Sequence, residues 1–194
     1  METTIRLMLL NGSLRQGSIN GAVLATARAL APVGTQALLY QGIAGLPHFN
    51  PDDDVDPLHP NVVELREGIG KADAVLISTP EYAGSLPGSF KNALDWTVGG
   101  ASLCERPVGW INASAEGRAQ DTYAALRLVL ERAGARIIEA ACRDIPVPRS
   151  AVDASGIIAD PHLRAEIGSV VRLLVAAARS GLPEDQPADT AHVP

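Results

Sequence analysis

Aromatic side chains are scarce in this chain: two Trp, two Phe and three Tyr make up 4% of 194 residues. Each one beside a loop therefore carries more information than usual. Cysteine is scarcer still. Cys104 and Cys142 lie far apart and have no metal-ligand spacing, which argues for a reducing, cytoplasmic compartment. Positive charge is in deficit, with 16 Lys and Arg against 22 Asp and Glu and a net charge of −6. That excludes nucleic acid as the main partner, because phosphate backbones require basic surface. No apolar run approaches the roughly 18 residues of a membrane span. The opening METTIRLMLLNGS has a short apolar stretch without a basic start; it reads as a first strand and not as a signal peptide. The four histidines, His48, His59, His162 and His192, share no spacing, and Asp52-Asp53-Asp54 lacks the alternation and turn glycine of a calcium loop. No metal site is expected, and the acidic run reads as a solvated loop.

What is present is an ordinary core composition, 46% hydrophobic and 20% charged, in a chain sized for one domain. Residues 1–180 are expected to form it, with 181–194, polar and proline-bearing, as a disordered tail. Thr4 to Leu10 is a continuous apolar-leaning run, as expected of a strand covered on both faces. Val23, Leu24, Ala27, Leu30 and Ala31 then repeat at helical spacing, and Thr35 to Tyr40 makes a second strand. Strand, helix, strand in so short a span predicts a parallel βαβ unit. Further strands are expected at 74–78, 108–112 and 135–141, with helices at about 60–71, 89–96, 120–132 and 161–180. Gly42 to Pro60 is a long irregular segment with four prolines and four aspartates. The prediction is an α/β fold: a doubly wound, five-stranded parallel sheet in three layers, strand order 2-1-3-4-5.

In such a fold ligands sit outside the carboxyl ends of the strands, so the loops there hold the site candidates. The leading one follows the third strand. Pro80, Gly84, Pro87 and Gly88 make a loop with preset φ angles and room for a ligand to approach the backbone, and a helix to Trp96 follows. A second candidate follows the first strand, Gly12 to Asn20. Ser13, Ser18, Asn20 and the backbone N–H groups of a helix start are all donors, and Arg15 adds a partner suited to phosphate. The alternative is that Ser18 only caps the helix and Arg15 is a solvated surface residue. The loop has neither G-x-x-x-x-G-K-[ST] nor G-x-G-x-x-G, so neither a nucleotide-hydrolysing P-loop nor a dinucleotide fingerprint is present.

Two segments resemble one family. Gly12-Ser13-Leu14-Arg15-Gln16-Gly17-Ser18-Ile19-Asn20 is similar to the phosphate loop of the NADPH-dependent FMN reductases. Pro80-Glu81-Tyr82, Pro87-Gly88 and Lys91-Asn92-Ala93-Leu94-Asp95-Trp96 resemble the same family's ring-loop segment. Leu46 to Asn50 and the aspartates after it are also similar. The resemblance implies a flavodoxin-like fold, FMN as cofactor and NADPH or NADH as electron donor. It implies that Ser13, Arg15, Ser18, Ile19 and Asn20 hold the phosphate. Pro80, Glu81, Tyr82, Ala83 and Gly84 would line the isoalloxazine ring, with Ser114 approaching from the other side. It departs at Ala83, where Asn or His is common, and at Ala115-Glu116-Gly117-Arg118, which replaces a longer glycine-rich loop. Hydride transfer needs no protein acid or base, so no catalytic residue is assigned. Tyr82 either borders the ring or packs half-buried on the next helix. Lys91, Asn92, Asp95 and Trp96 read as a subunit-pairing helix in a homodimer or homotetramer, the alternative being an ordinary amphipathic surface helix. The expected activity is electron transfer from a nicotinamide through FMN to a small acceptor such as a flavin or quinone. A flavodoxin-type electron carrier without nicotinamide activity is the second reading, and a flavin-less binding domain the third.

Overall fold

The structure is a computed structural model and describes residues 4–181. Its centre is a parallel sheet of five strands in the order β2-β1-β3-β4-β5. The strands are β1 (Ile5–Asn11), β2 (Thr35–Tyr40), β3 (Ala74–Ser78), β4 (Pro107–Asn112) and β5 (Arg136–Asp144). Around it pack α1 (Ile19–Ala29), α2 (Pro60–Gly70), α3 (Gly88–Trp96), α4 (Gln120–Arg132) and α5 (Pro161–Arg179). This is the flavodoxin-like, doubly wound arrangement that the alternating pattern predicts.

Side-chain alternation along the strands builds the three layers. Ile5, Leu7 and Leu9 of β1 join α1 and α5 in one core, while Met8 and Leu10 join α2, α3 and α4 in the other. All five residues of β3 are buried, which is why its sequence is an unbroken apolar run. The outer strands β2 and β5 are partly exposed.

Strand β5 runs on to Asp144, beyond the Ala141 expected from sequence. Trp110, Ile111 and Asn112 pair with Cys142, Arg143 and Asp144 after a register shift between Val108 and Trp110. At a sheet edge, polar residues face solvent without leaving the ladder, so the polarity of Arg143 and Asp144 does not mark the strand's end.

The 42–60 segment holds short 3-10 turns at Gly42–Gly45 and Pro51–Asp53. It corrects the reading of the three aspartates as uniformly solvated. Asp54 takes a two-pronged contact from Arg66, Nη1 to Oδ1 at 2.7 Å and Nη2 to Oδ2 at 2.8 Å. That hydrogen bonding holds the Asp54 carboxyl below its ordinary range. The segment after β5 is likewise ordered: Asp153 Oδ1 accepts the N–H groups of Ser155 and Ile157 and the Ser155 hydroxyl. Ile158 N–H donates to Thr26 Oγ1 at 3.0 Å, which seats the segment on α1. Residues 182–194 of the expected tail, His192 among them, lie outside the described residues.

Candidate functional site

The loop after β1 is built by its own polar side chains. Ser13 N–H donates to Asn11 Oδ1 at 3.0 Å, and Arg15 N–H donates to Ser13 Oγ at 3.3 Å. Ser18 N–H reaches the Arg15 carbonyl at 3.2 Å and closes a turn through Gly17. Ser18 is the N-cap of α1, its Oγ accepting from Gly21 N–H at 3.0 Å. Ser13 and Ser18 thus each accept a backbone N–H and keep a hydroxyl proton to donate outward. The capping role and an anion-binding role are compatible. No acidic residue stands in the first turn of α1, so nothing offsets the positive end of its dipole. Arg15 is exposed beside it. Ser13, Arg15 and Ser18 line one cavity of about 590 Å³, to which Tyr40, Val152 and Ser155 also contribute. Ile19 and Asn20 form the first turn of α1 next to it.

After β3 the chain makes a tight hairpin. Tyr82 and Ser85 exchange both backbone hydrogen bonds, at 3.0 and 3.1 Å. Between them Ala83 and Gly84 have φ of +51° and +76°. Two consecutive positive φ values define the type I′ turn, which favours Asn-Gly. The structure thereby gives a backbone reason why Asn suits position 83. Tyr82 is 53% exposed. At their roots the first and third loops touch. Gly12 N–H donates to the Ser78 carbonyl at 2.9 Å, and a Cβ on Gly12 would lie 2.0 Å from Thr79 Oγ1. Only glycine permits that approach.

The loop after β4 repeats the first loop's device. Ser114 N–H donates to Asn112 Oδ1 at 3.1 Å, and Asn112 Nδ2 donates to the Arg118 carbonyl at 3.0 Å. Ser114 lines a separate cavity of about 430 Å³ with Glu116 and Asp144. Pro80 to Gly84 line neither cavity; they project from the end of the strand that lies between the other two.

Sequence reasoning assigned no site role to Ser78 and Tyr123. The β3–β4 ladder ends at Ile77 and Trp110, and these side chains occupy the gap beyond it. Ser78 Oγ lies 2.8 Å from Asn20 Oδ1 and 2.9 Å from the Ile111 carbonyl. Tyr123 Oη accepts Thr79 N–H at 3.2 Å and shares its proton between the carbonyls of Thr79, 3.0 Å, and Ile111, 2.9 Å. Burial drives the Tyr123 phenol far above its ordinary range. Tyr123 sits at a core-facing helical position and Ser78 ends a strand, so neither residue type nor spacing marks them.

The α3 residues expected to face a partner divide. Lys91 and Asp95 pair with each other on the surface at 2.6 Å. Trp96 is 1% exposed and donates Nε1–H to the Pro47 carbonyl at 2.8 Å. Asn92 Nδ2 donates to the same carbonyl at 2.8 Å. These two hold their own chain's 46–50 loop, which corrects their reading as partner contacts. Among the described residues no three His, Cys, Asp or Glu side chains gather as a metal site. Both cysteines are free, and burial pushes the Cys142 thiol up to about 11.

The strand order defines a flavodoxin-like α/β protein, with the three loops described above at the carboxyl ends of β1, β3 and β4. The chain belongs to the NADPH-dependent FMN reductase family, whose model matches residues 5–143. It is 41% identical over 97 residues to a quinone reductase of Escherichia coli K12, covering 50% of this chain and 52% of that protein. It is 43% identical over 96 residues to an NAD(P)H-dependent FMN reductase of Pseudomonas aeruginosa, covering 50% and 51% respectively. The chain thus spans about half the length of these relatives. Among solved structures it is similar to FerB, a flavoenzyme NAD(P)H:(acceptor) oxidoreductase from Paracoccus denitrificans. The TM-score is 0.71 and the identity 28%, with 89% of this chain and 98% of that one covered.

Proposed function

We propose that this chain binds FMN at the carboxyl edge of its sheet and moves electrons from NADPH or NADH to a small acceptor, a quinone or a flavin. The observation that carries the reading is the first loop: two hydroxyls with protons left to donate, a helix N-terminus with no acidic residue in its first turn, and an exposed Arg15 around one cavity. That donor set fits a phosphate dianion. In this reading Ser13, Arg15, Ser18, Ile19 and Asn20 hold the phosphate, and Pro80 to Gly84 with Ser114 border the ring. The named activities of the bacterial relatives support the choice of donor and acceptor class. When bound, the flavin supplies the redox chemistry, hydride acceptance from a nicotinamide and electron release to an acceptor. The chain's share is to hold the phosphate, set the height of the ring and leave a face open through the exposed hairpin. Part of the same proposal is that residues 1–180 act as one FMN-binding domain in the cytoplasm, assembled as a homodimer or homotetramer. Apolar side chains Val98 and Leu128 are exposed on the α3–α4 side, which supports association there.

The test is spectroscopic. Purified protein given FMN is expected to show a bound-flavin spectrum that bleaches rapidly on anaerobic addition of NADPH or NADH. Bound flavin that stays oxidised with both would leave an electron carrier. No uptake at micromolar FMN would refute both readings. Light scattering after size exclusion reports the assembly.

A further inference from the structure

The hydrogen-bonded bridge beyond the end of the β3–β4 ladder joins three loops that are distant in sequence. Asn20 stands in the first turn of α1, at the phosphate end. Its Oδ1 lies 2.8 Å from Ser78 Oγ, at the end of β3. Ser78 and Tyr123 both meet the Ile111 carbonyl, at 2.9 Å each, on β4. Tyr123 also takes both backbone groups of Thr79, where the exposed hairpin begins. Asn20, Ser78, Thr79 and Tyr123 are all buried. Breaking a link in such a buried network strands a desolvated group, which resists displacement of the loops it joins.

We propose that this Asn20–Ser78–Tyr123 bridge is a positioning device that holds the phosphate loop and the ring loop at one separation, so that a change at either end of the flavin site is felt at the other. The proposal rests on the FMN reading above. None of the three side chains is needed to close a strand ladder or a helix turn, yet together they replace the backbone pairing that β3 and β4 give up as they separate. The bridge therefore stands where a ligand spanning β1, β3 and β4 needs its walls fixed. Asn20 acts in two directions, with its backbone in the first turn of α1 and its carbonyl oxygen turned toward β3.

The experiment compares the wild type with Tyr123→Phe, Ser78→Ala and Asn20→Ala, with melting temperatures recorded throughout. In flavin-free protein, Tyr123→Phe removes the acceptor of Thr79 N–H. Exchange of that amide is expected to speed by tenfold or more while the amides of β1 keep their protection. With ligand, the decisive probe is riboflavin, which has the ring and no phosphate. Asn20→Ala is expected to shift the spectrum of bound riboflavin toward that of free flavin, although Asn20 stands at the phosphate end and riboflavin has no phosphate. Ser78→Ala is expected to shrink the preference for FMN over riboflavin by fivefold or more. A riboflavin spectrum and an FMN preference unchanged in the variants that fold would overturn the bridge and leave the FMN reading standing. A wild type that takes up no flavin would overturn both.

Discussion

Asn92 holds Phe49 by its backbone: Asn92 Oδ1 accepts the Phe49 N–H at 2.7 Å across 43 residues of sequence. The Phe49 ring then meets Trp96 edge-on, centroids 5.0 Å apart. Helix α3 and the 46–50 loop are thus one unit within the chain. Asn92→Ala leaves the Phe49 N–H without its partner and removes one of two donors to the Pro47 carbonyl. It is expected to destabilise the protein by about 1–3 kcal/mol, read from urea unfolding. Lys91→Ala, which removes only a surface pair, is expected to change stability by less than about 1 kcal/mol.

Ala83 occupies the left-handed region, where a Cβ costs roughly 1–2 kcal/mol. Ala83→Gly or Ala83→Asn should therefore stabilise the protein by about 0.5–1 kcal/mol. A raised melting temperature checks this, and a lowered one would show that the type I′ turn is not formed in solution.

Gly12→Ala should do the reverse. Its Cβ would overlap Thr79 Oγ1 and Cβ, at 2.0 and 2.5 Å. Relief requires the ends of β1 and β3 to part, which costs about 1–3 kcal/mol. Both stability and FMN uptake are expected to fall.

Arg15 is exposed and makes no ion pair within the described residues. Its removal should leave folding unchanged within about 0.5 kcal/mol. FMN affinity should fall by a charge-assisted contact, about 1.5–3 kcal/mol, and riboflavin affinity should hold. An unchanged FMN dissociation constant in Arg15→Ala would remove the residue from the phosphate end.

The Asp54–Arg66 fork gives the 42–60 segment a pH dependence. The folded carboxyl titrates below its unfolded value because Arg66 hydrogen-bonds its ionised form. Its contribution is fully present above an unfolded value of about 3.9 and is lost as pH falls through the lower folded one. Glu139, held down by Arg127, titrates in the same direction. Asp54→Asn is expected to flatten the fall in stability between neutral pH and pH 3 in part, with Glu139 supplying a remainder.

The strand order and the helix spans were legible because the core is periodic: β3 is buried throughout, and α4 begins and ends at the residues its pattern predicts. The cap at Ser18 was legible from its residue type and its place before the helix pattern. What the pattern did not carry was tertiary. Whether Asp54 finds Arg66, or Trp96 finds Pro47, depends on where a long irregular segment crosses the sheet end. Ser78 and Tyr123 draw their importance from two strands parting between them, which no spacing along the chain records.

Helix α5 buries Ile167, Val170, Val171, Leu174 and Val175 against the face that presents Leu7, Leu9 and Leu76. It is the last element described, 161–179, and follows the end of the family match at 143. During synthesis all five strands leave the ribosome before this cover exists. The nascent sheet therefore carries one incompletely covered apolar face until α5 emerges, and a translation arrest after β5 would leave that face open to chaperones and to self-association.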